Sequence, residues 1–249
     1  MLGGSIRLFR FAGIQVSLHF SWFLAAAYFL TSSKGLFAAP IFGLYVYLGL
    51  FLIVLTHEFG HAFACRQVGG IADHILLWPL GGVAFVRPPP RPGAQLWSIA
   101  AGPLVNILLF PILKLMLFAV AHSGIAEQAP DIFRLVVMID LINLTLLKFN
   151  LLPVYPLDGG QILRSLLWFF LGPIKSLRIA SVIGLIGGAA FVLWAIAQSS
   201  LWAILISIFL MSQALAGWRH AKTLQLREDE ILRGVPPPIP EQEPRPPMV

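Results

Sequence analysis

Two histidines and a glutamate stand together in one short apolar stretch, FLIVLTHEFGHAFAC (51–65). His57 and His61 are four residues apart, a spacing that places both side chains on one face of a helix. Glu58 follows His57 and would reach a water bound between the imidazoles. The pattern H-E-x-x-H is typical of a Zn²⁺ site in which the glutamate acts as general base. A charged residue at the centre of a bilayer costs about 2.5–3.5 kcal/mol, which favours a chemical role over a packing role.

A catalytic zinc ion takes three protein ligands and leaves one position open for water. The acids within or near the apolar segments are Asp73, Asp140 and Asp158. Asp158 belongs to NLLPVYPLDGG (150–160), where two prolines break the preceding helix and glycines free the backbone. Such a turn would aim a carboxylate inward, at the depth of the two histidines. Asp140 is the poorer candidate because it falls in the opposite half of the predicted membrane segment.

The composition indicates a membrane protein. Hydrophobic residues make up 58% of the 249 residues and charged residues 11%, against about 25% charged in soluble domains. The net charge of +6 comes from residues scattered along loops, which is typical of topology signals rather than of a nucleic-acid surface. Cys65 is the only cysteine, so an intrachain disulfide is excluded.

Six apolar segments are long enough to be predicted as membrane spans. They are residues 16–33, 38–66, 94–121, 132–152, 177–197 and 200–217. With both termini in the cytoplasm, the inner segments hold 13 of the 17 Lys and Arg residues and the outer segments hold two. The positive-inside rule therefore favours this orientation. It runs the second and fourth spans in the same direction, which brings His57, His61 and Asp158 to one depth near the cytoplasmic face.

The segment between the second and third spans, residues 69–93, is too rich in Gly and Pro to be a helix. HILLW and GVAFV flank PLGG, which predicts a β-hairpin with Gly81 and Gly82 at its turn. The predicted fold is thus an all-α polytopic membrane protein with about six transmembrane helices and a short membrane-associated β-hairpin. Residues 1–217 form one membrane-embedded domain. Residues 218–249 are predicted to be a cytoplasmic, Pro-rich, disordered tail.

Three ordered motifs, HEFGH, AAGPLVNILL and NLLPVYPLDGG, resemble the site-2 protease family of intramembrane zinc metalloproteases. PLGGVAF resembles the strand-forming loop of that family, and the similarity runs from about residue 10 to 170. It is nearest to the compact, sporulation-type branch, without the PDZ or CBS domains of other members. The resemblance implies one Zn²⁺ held by His57, His61 and Asp158, with Glu58 as the base.

The resemblance also gives Asn106 a role near the reacting carbonyl and Asn150 a supporting role near the Asp158 turn. An amide can donate to a developing oxyanion; the alternative for Asn106 is an interhelical hydrogen bond. The implied substrate is a single-span or membrane-anchored protein, cut in or beside its spanning helix near the cytoplasmic face, with any regulator a separate protein. Because a helix hides its carbonyls, we expect the hairpin edge at Gly81 and Gly82 to hold the substrate extended by β-augmentation.

Two rival functions stay open at this stage. A membrane ion or metal transporter could use the same polar cluster, but it would need chiefly the ligands, whereas a protease needs Glu58. A protease of the prenyl-protein processing type also has H-E-x-x-H, and its third ligand is expected to be a distant Glu. The absence of targeting extensions favours a prokaryotic plasma membrane. Outside the site, Lys114 and Asp140 fall at similar depth, which predicts an ion pair or a polar cluster shared with Asn143.

Overall fold

The computed structural model describes residues 4–32, 35–78 and 81–233. Within these ranges the chain forms four strands and seven helices. The strands are β1 (Ser5–Phe11), β2 (Ile14–His19), β3 (Ile71–Trp78) and β4 (Gly81–Arg87). The helices are α1 (Ser21–Ser32), α2 (Ile41–Gln67), α3 (Pro92–His122), α4 (Ile125–Gln128), α5 (Pro130–Asn150), α6 (Asp158–Ala197) and α7 (Leu201–Leu232). The protein is therefore mostly helical, with one small sheet.

Three of the described helices, α2, α3 and α6, are long and apolar enough to cross a membrane. Large hydrophobic side chains such as Leu108, Leu115 and Leu193 are more than half exposed along them. Such surfaces are compatible with lipid rather than with water. These helices correspond to the predicted spans 38–66, 94–121 and 177–197.

The prediction was wrong at the start of the first span, 16–33. Ile14–His19 is strand β2, and the helix that follows, α1, has only 12 residues. The reason is a hairpin that was missed: Ala12 and Gly13 both have positive φ, 48° and 76°, as the two-residue turns that join antiparallel strands require. The sequence predicted helices and a single hairpin, but the structure has a four-stranded sheet, because β1 and β2 add two strands to it.

The hairpin predicted between the second and third spans is present as β3 and β4, and its turn residues 79–80 lie outside the described ranges. The sheet has the order β1-β2-β3-β4, in which only β2 and β3 are parallel. Ile14, Val16, Ile75 and Leu77 are fully buried on these two central strands. They pack in one hydrophobic cluster with residues of α2, so the sheet is fixed to the helix that carries HEFGH.

Two later elements differ from expectation at their ends. Helix α6 begins at Asp158, well before the predicted span 177–197, and is interrupted at Gly172, where φ is 77° and ψ is 171°. The helix α7 continues to Leu232. Residues 218–232 are therefore helical where the sequence predicted a disordered tail, and residues 234–249 of that tail lie outside the described ranges.

Candidate metal centre

The centre is built first on α2, which buries His57, Glu58 and His61 to 3%, 5% and 6% exposure. The two Nε2 atoms of the histidines lie 3.1 Å apart, as the i, i+4 spacing on a helix predicts. α2 also lies unusually close to α3, because a Cβ at Gly60 would come within 2.7 Å of the Ala101 carbonyl oxygen. The histidines therefore face α3 directly.

Asp158 is the first residue of α6 and completes the cluster. Its Oδ2 atom lies 3.1 Å from Nε2 of His57 and 3.5 Å from Nε2 of His61. The glycines that follow serve the turn before the helix: a Cβ at Gly159 would overlap the carbonyl groups of Leu151 and Leu152. The DGG sequence thus folds the preceding loop tightly against α6 and directs the carboxylate inward.

The other ring nitrogen of each histidine has a partner that accepts a hydrogen bond. Nδ1 of His57 lies 2.6 Å from Oδ1 of Asn106, and Nδ1 of His61 lies 2.9 Å from the carbonyl oxygen of Ser98. Both Nδ1 atoms must therefore carry hydrogen, which leaves both Nε2 lone pairs free. Partners of this kind fix the tautomer and ring orientation of metal-ligating histidines.

The resulting donor set fits Zn²⁺. Two imidazole lone pairs and a carboxylate oxygen, all acceptors, face one another within 4.8 Å, an arrangement that a cation between them would stabilise. Tetrahedral zinc with bonds of about 2.0–2.2 Å places its donor atoms about 3.3–3.6 Å apart, close to the separations of 3.1, 3.1 and 3.5 Å. Imidazole nitrogen and carboxylate oxygen are ordinary zinc ligands.

Glu58 is held by the sheet. The backbone amide of Ala84 on β4 donates to Oε2 of Glu58 at 2.8 Å. Gly82 lies against the same side chain, because a Cβ at that position would overlap Cγ and Cδ of Glu58. The hairpin predicted from PLGG thus supports the carboxylate predicted to act as base.

The two asparagines are placed differently. Asn106 is fully buried on α3, with Oδ1 toward His57 and Nδ2 donating to Oδ1 of Asn143 at 2.8 Å. Both ends of its amide are thus taken by protein partners, His57 and Asn143. Asn150 is the half-buried last residue of α5, and its side chain forms no hydrogen bond with the described residues.

Sequence reasoning missed Ser98 and Gly102, which share the Asn106 face of α3. A Cβ at Gly102 would overlap the His61 ring and approach Nε2 of His57 to 2.8 Å. The signal was present in the sequence, since Ser98, Gly102 and Asn106 recur every fourth residue in the otherwise apolar segment 96–113. The histidines pack against this stripe of small and polar residues.

Away from the centre, the predicted pair of Lys114 and Asp140 is confirmed. Nζ of Lys114 lies 2.7 Å from Oδ2 of Asp140, linking α3 to α5. Asn143, one turn along α5, contacts Asn106 instead. Asp140 is therefore separate from the histidine cluster, as its position in the sequence predicted.

Residues 117–195 match the family described as peptidase family M50. A zinc metalloprotease of Methanocaldococcus jannaschii is 34% identical over 82% of this chain and 58% of its own length. The stage IV sporulation protein FB of Bacillus subtilis is 34% identical over 60% of this chain and 46% of its length. The chain thus spans less than two thirds of the curated relatives that it matches.

A solved structure, the site-2 protease from Methanocaldococcus jannaschii, has the same fold, with a TM-score of 0.59 and 30% sequence identity. The match covers 86% of this chain and 95% of that one. Together with the histidine–aspartate cluster, this likeness over nearly the whole solved chain shows that the protein belongs to the site-2 protease family of zinc metalloproteases.

Proposed function

We propose that this protein is an intramembrane zinc endopeptidase. It hydrolyses a peptide bond in or beside the transmembrane segment of a membrane-anchored protein, near the cytoplasmic face, as a step of regulated intramembrane proteolysis. The observation that carries the proposal is the convergence of His57, His61 and Asp158 beside a buried Glu58. The relatives named as zinc metalloproteases support the same activity.

The residues of the centre divide the work. His57, His61 and Asp158 would hold Zn²⁺, which when bound would supply an activated water and polarise the scissile carbonyl. Glu58 takes a proton from the attacking water and returns it to the leaving nitrogen. The Ala84 amide holds the Glu58 carboxylate in place for both transfers. Positioning of this kind matters because a displacement of about 1 Å can cost about 10²-fold in rate.

Substrate binding is proposed at the outer edge of β4. The Ala84 N–H points to Glu58 and hence away from β3, so the alternate residues on either side of it, Gly82 and Val86, present their backbone groups at that edge for a substrate. An unwound substrate segment paired there would lie alongside Glu58. Residues Gly81 and Gly82 begin the strand, and small residues let a second backbone approach closely.

A proline at Val86 tests this edge, since proline is tolerated where a strand N–H faces outward. Val86→Pro removes an edge N–H two residues from the Glu58 contact. We expect it to lower cleavage while zinc content stays that of the wild type. Val83→Pro is the comparison that removes an N–H facing β3 and so weakens the hairpin itself. Unchanged cleavage by Val86→Pro would contradict β-augmentation at this edge.

We further propose six membrane crossings with both termini in the cytoplasm of a prokaryotic cell, in the plasma membrane. The helices α2, α3 and α6 are supported by length and hydropathy, and we place the other three crossings at α5, at α7 and at the predicted span 16–33, of which α1 forms 12 residues. The distribution of Lys and Arg supports the orientation. Reporter fusions after Leu36, His122 and Gln198 should report three outer locations; an inner location for any one would contradict the topology.

The function is tested with Glu58→Gln, which keeps the shape of the side chain and removes its basicity. Tagged single-span membrane proteins are expressed with wild type or variant at matched protein and zinc content. We expect cleavage by the wild type alone. Equal cleavage by both would refute Glu58 as the base. A transporter that uses the same ligands would move ions with either protein and cleave with neither.

A further inference from the structure

The side chain of Asn143, on α5, is fully buried and touches Asn106 rather than the histidines. We propose that Asn143 is a positioning residue for the metal centre, which fixes the tautomer and ring orientation of His57 by fixing the amide of Asn106. The inference rests on the proposed zinc site, to which α2, α3 and α6 already contribute, and adds a residue of a fourth helix, α5.

The orientation follows from one backbone carbonyl. Nδ2 of Asn143 donates to the carbonyl oxygen of Asn106 at 3.1 Å, and a carbonyl can only accept. Oδ1 of Asn143 therefore faces the Asn106 side chain, where it accepts from Nδ2 at 2.8 Å. The remaining amide atom, Oδ1 of Asn106, must then face Nδ1 of His57. Each hydrogen bond determines the direction of the next.

The direction matters because an amide has two unlike ends. If Asn106 turned by half a rotation, its Nδ2 would face Nδ1 of His57. The favoured tautomer would then carry hydrogen on Nε2, the atom that faces Asp158 at 3.1 Å. That tautomer has no lone pair for a metal at Nε2. Groups that orient ligating histidines typically change metal affinity by about 10–100-fold.

The second histidine does not need such a device. Nδ1 of His61 faces the backbone carbonyl of Ser98, whose orientation is set by the helix and cannot reverse. Only His57 depends on a side chain that can rotate. The two hydrogen bonds between Asn143 and Asn106 therefore act on His57, the one proposed ligand whose hydrogen-bond partner is a side chain that could turn.

The first measurement is zinc affinity of the full chain in detergent, by competition with a chromogenic chelator. Asn143→Leu is close to isosteric and removes both hydrogen bonds to Asn106. We expect it to weaken zinc binding by about tenfold. Asp140→Asn is the matched control, since Asp140 is buried one turn away on the same helix and contacts Lys114. It should keep the wild-type affinity.

The decisive comparison repeats Asn143→Leu in an Asn106→Asp background. A carboxylate has two equivalent oxygens and accepts from Nδ1–H of His57 whichever way it turns, so it needs no orienting partner. There, Asn143→Leu should change zinc affinity by less than about twofold. A tenfold loss in both backgrounds would show that Asn143 acts only through packing, and unchanged affinity in the native background would also overturn the inference.

Two further variants separate the possible failures. Asn143→Ser replaces Asn143→Leu if the leucine variant does not fold, and it too removes the reciprocal pair. His57→Ala tests the metal site itself and should abolish tight zinc binding. Equal zinc binding by wild type and His57→Ala would contradict the proposed zinc site. If His57→Ala loses zinc but Asn106→Asp does not restore the zinc affinity of Asn143→Leu, only the role of Asn143 is contradicted.

Discussion

The backbone amide of Ala84 donates to Oε2 of Glu58 at 2.8 Å, which joins the edge of the sheet to the proposed catalytic base. The two residues come from separate motifs, PLGGVAF and HEFGH, 26 positions apart. The edge of β4, which we propose holds the substrate, therefore also sets the position of the Glu58 carboxylate, which we propose acts on that substrate.

Gly82→Ala should disable the base without removing the metal. The new Cβ would overlap Cγ and Cδ of Glu58, so the carboxylate must move away from its place beside Ala84. We expect cleavage to fall by about 10²-fold while zinc content stays unchanged, because no ligand is touched. Cleavage of a tagged single-span substrate and metal analysis check both parts.

Gly93→Ala is the control for this variant, since its Cβ would meet only Phe169 at 3.8 Å. It should cleave like the wild type. A Gly82→Ala protein with normal cleavage would mean that Glu58 works from another position than the one beside β4.

Much of this arrangement could be predicted from the residues. The i, i+4 histidines and the broken helix before Asp158 each predict a local property, and the structure shows both: the Nε2 atoms of His57 and His61 lie together, and Asp158 begins α6. The β1–β2 hairpin was missed because IQVSLH (14–19), in which apolar and polar residues alternate, leads directly into an apolar segment and so reads as strand or as the start of a span. Only pairing with β3 decides between them.

The contacts around the centre could not be predicted in the same way. Which amide atom of Asn106 faces His57, and which strand residue faces Glu58, depend on how α2, α3, α5 and β4 pack in three dimensions. The resemblance placed Asn106 near the reacting carbonyl, whereas both ends of its amide meet protein partners. A role toward substrate would require Asn106 to exchange one of them.

Gly102→Ala should weaken zinc binding directly. Its Cβ would overlap the His61 ring and crowd Nε2 of His57, so the two Nε2 atoms could no longer point toward the same metal position. We expect affinity to fall by at least about tenfold, measured by chelator competition. Gly93→Ala, on the same helix, should bind zinc normally.

Gly60→Ala separates ligand displacement from helix packing in this experiment. Its Cβ would press on the carbonyl of Ala101 and on the side chain of Val105, and so push α2 from α3. We expect lower thermal stability with zinc affinity near that of the wild type. Equal losses of affinity in Gly60→Ala and Gly102→Ala would assign both to helix separation.

Zinc should stabilise the folded protein. Without a cation, the Nε2 lone pairs of His57 and His61 and the Asp158 carboxylate face one another. Ligand present at 100 times its dissociation constant adds about 2.7 kcal/mol to the folded state. The melting temperature in detergent should therefore rise on addition of zinc and fall with a chelator. His57→Ala should show neither change, and an equal rise in that variant would place the stabilising ion elsewhere.

The protein should be more stable with the Lys114–Asp140 pair intact, or with both residues replaced, than with only one of them replaced. The Asp140 side chain is 9% exposed and that of Lys114 43%, with the exposed part toward lipid in the proposed topology. Lys114→Met leaves a buried carboxylate unpaired, which we expect to cost about 3 kcal/mol. The double variant Lys114→Met, Asp140→Leu should regain part of that loss, because no charge is left behind.

Denaturation in detergent measures the stability of the single and the double variant. Lys148→Met, on the exposed face of α5, is the control and is expected to change little. A double variant less stable than either single one would show that the two side chains contribute independently rather than as a pair.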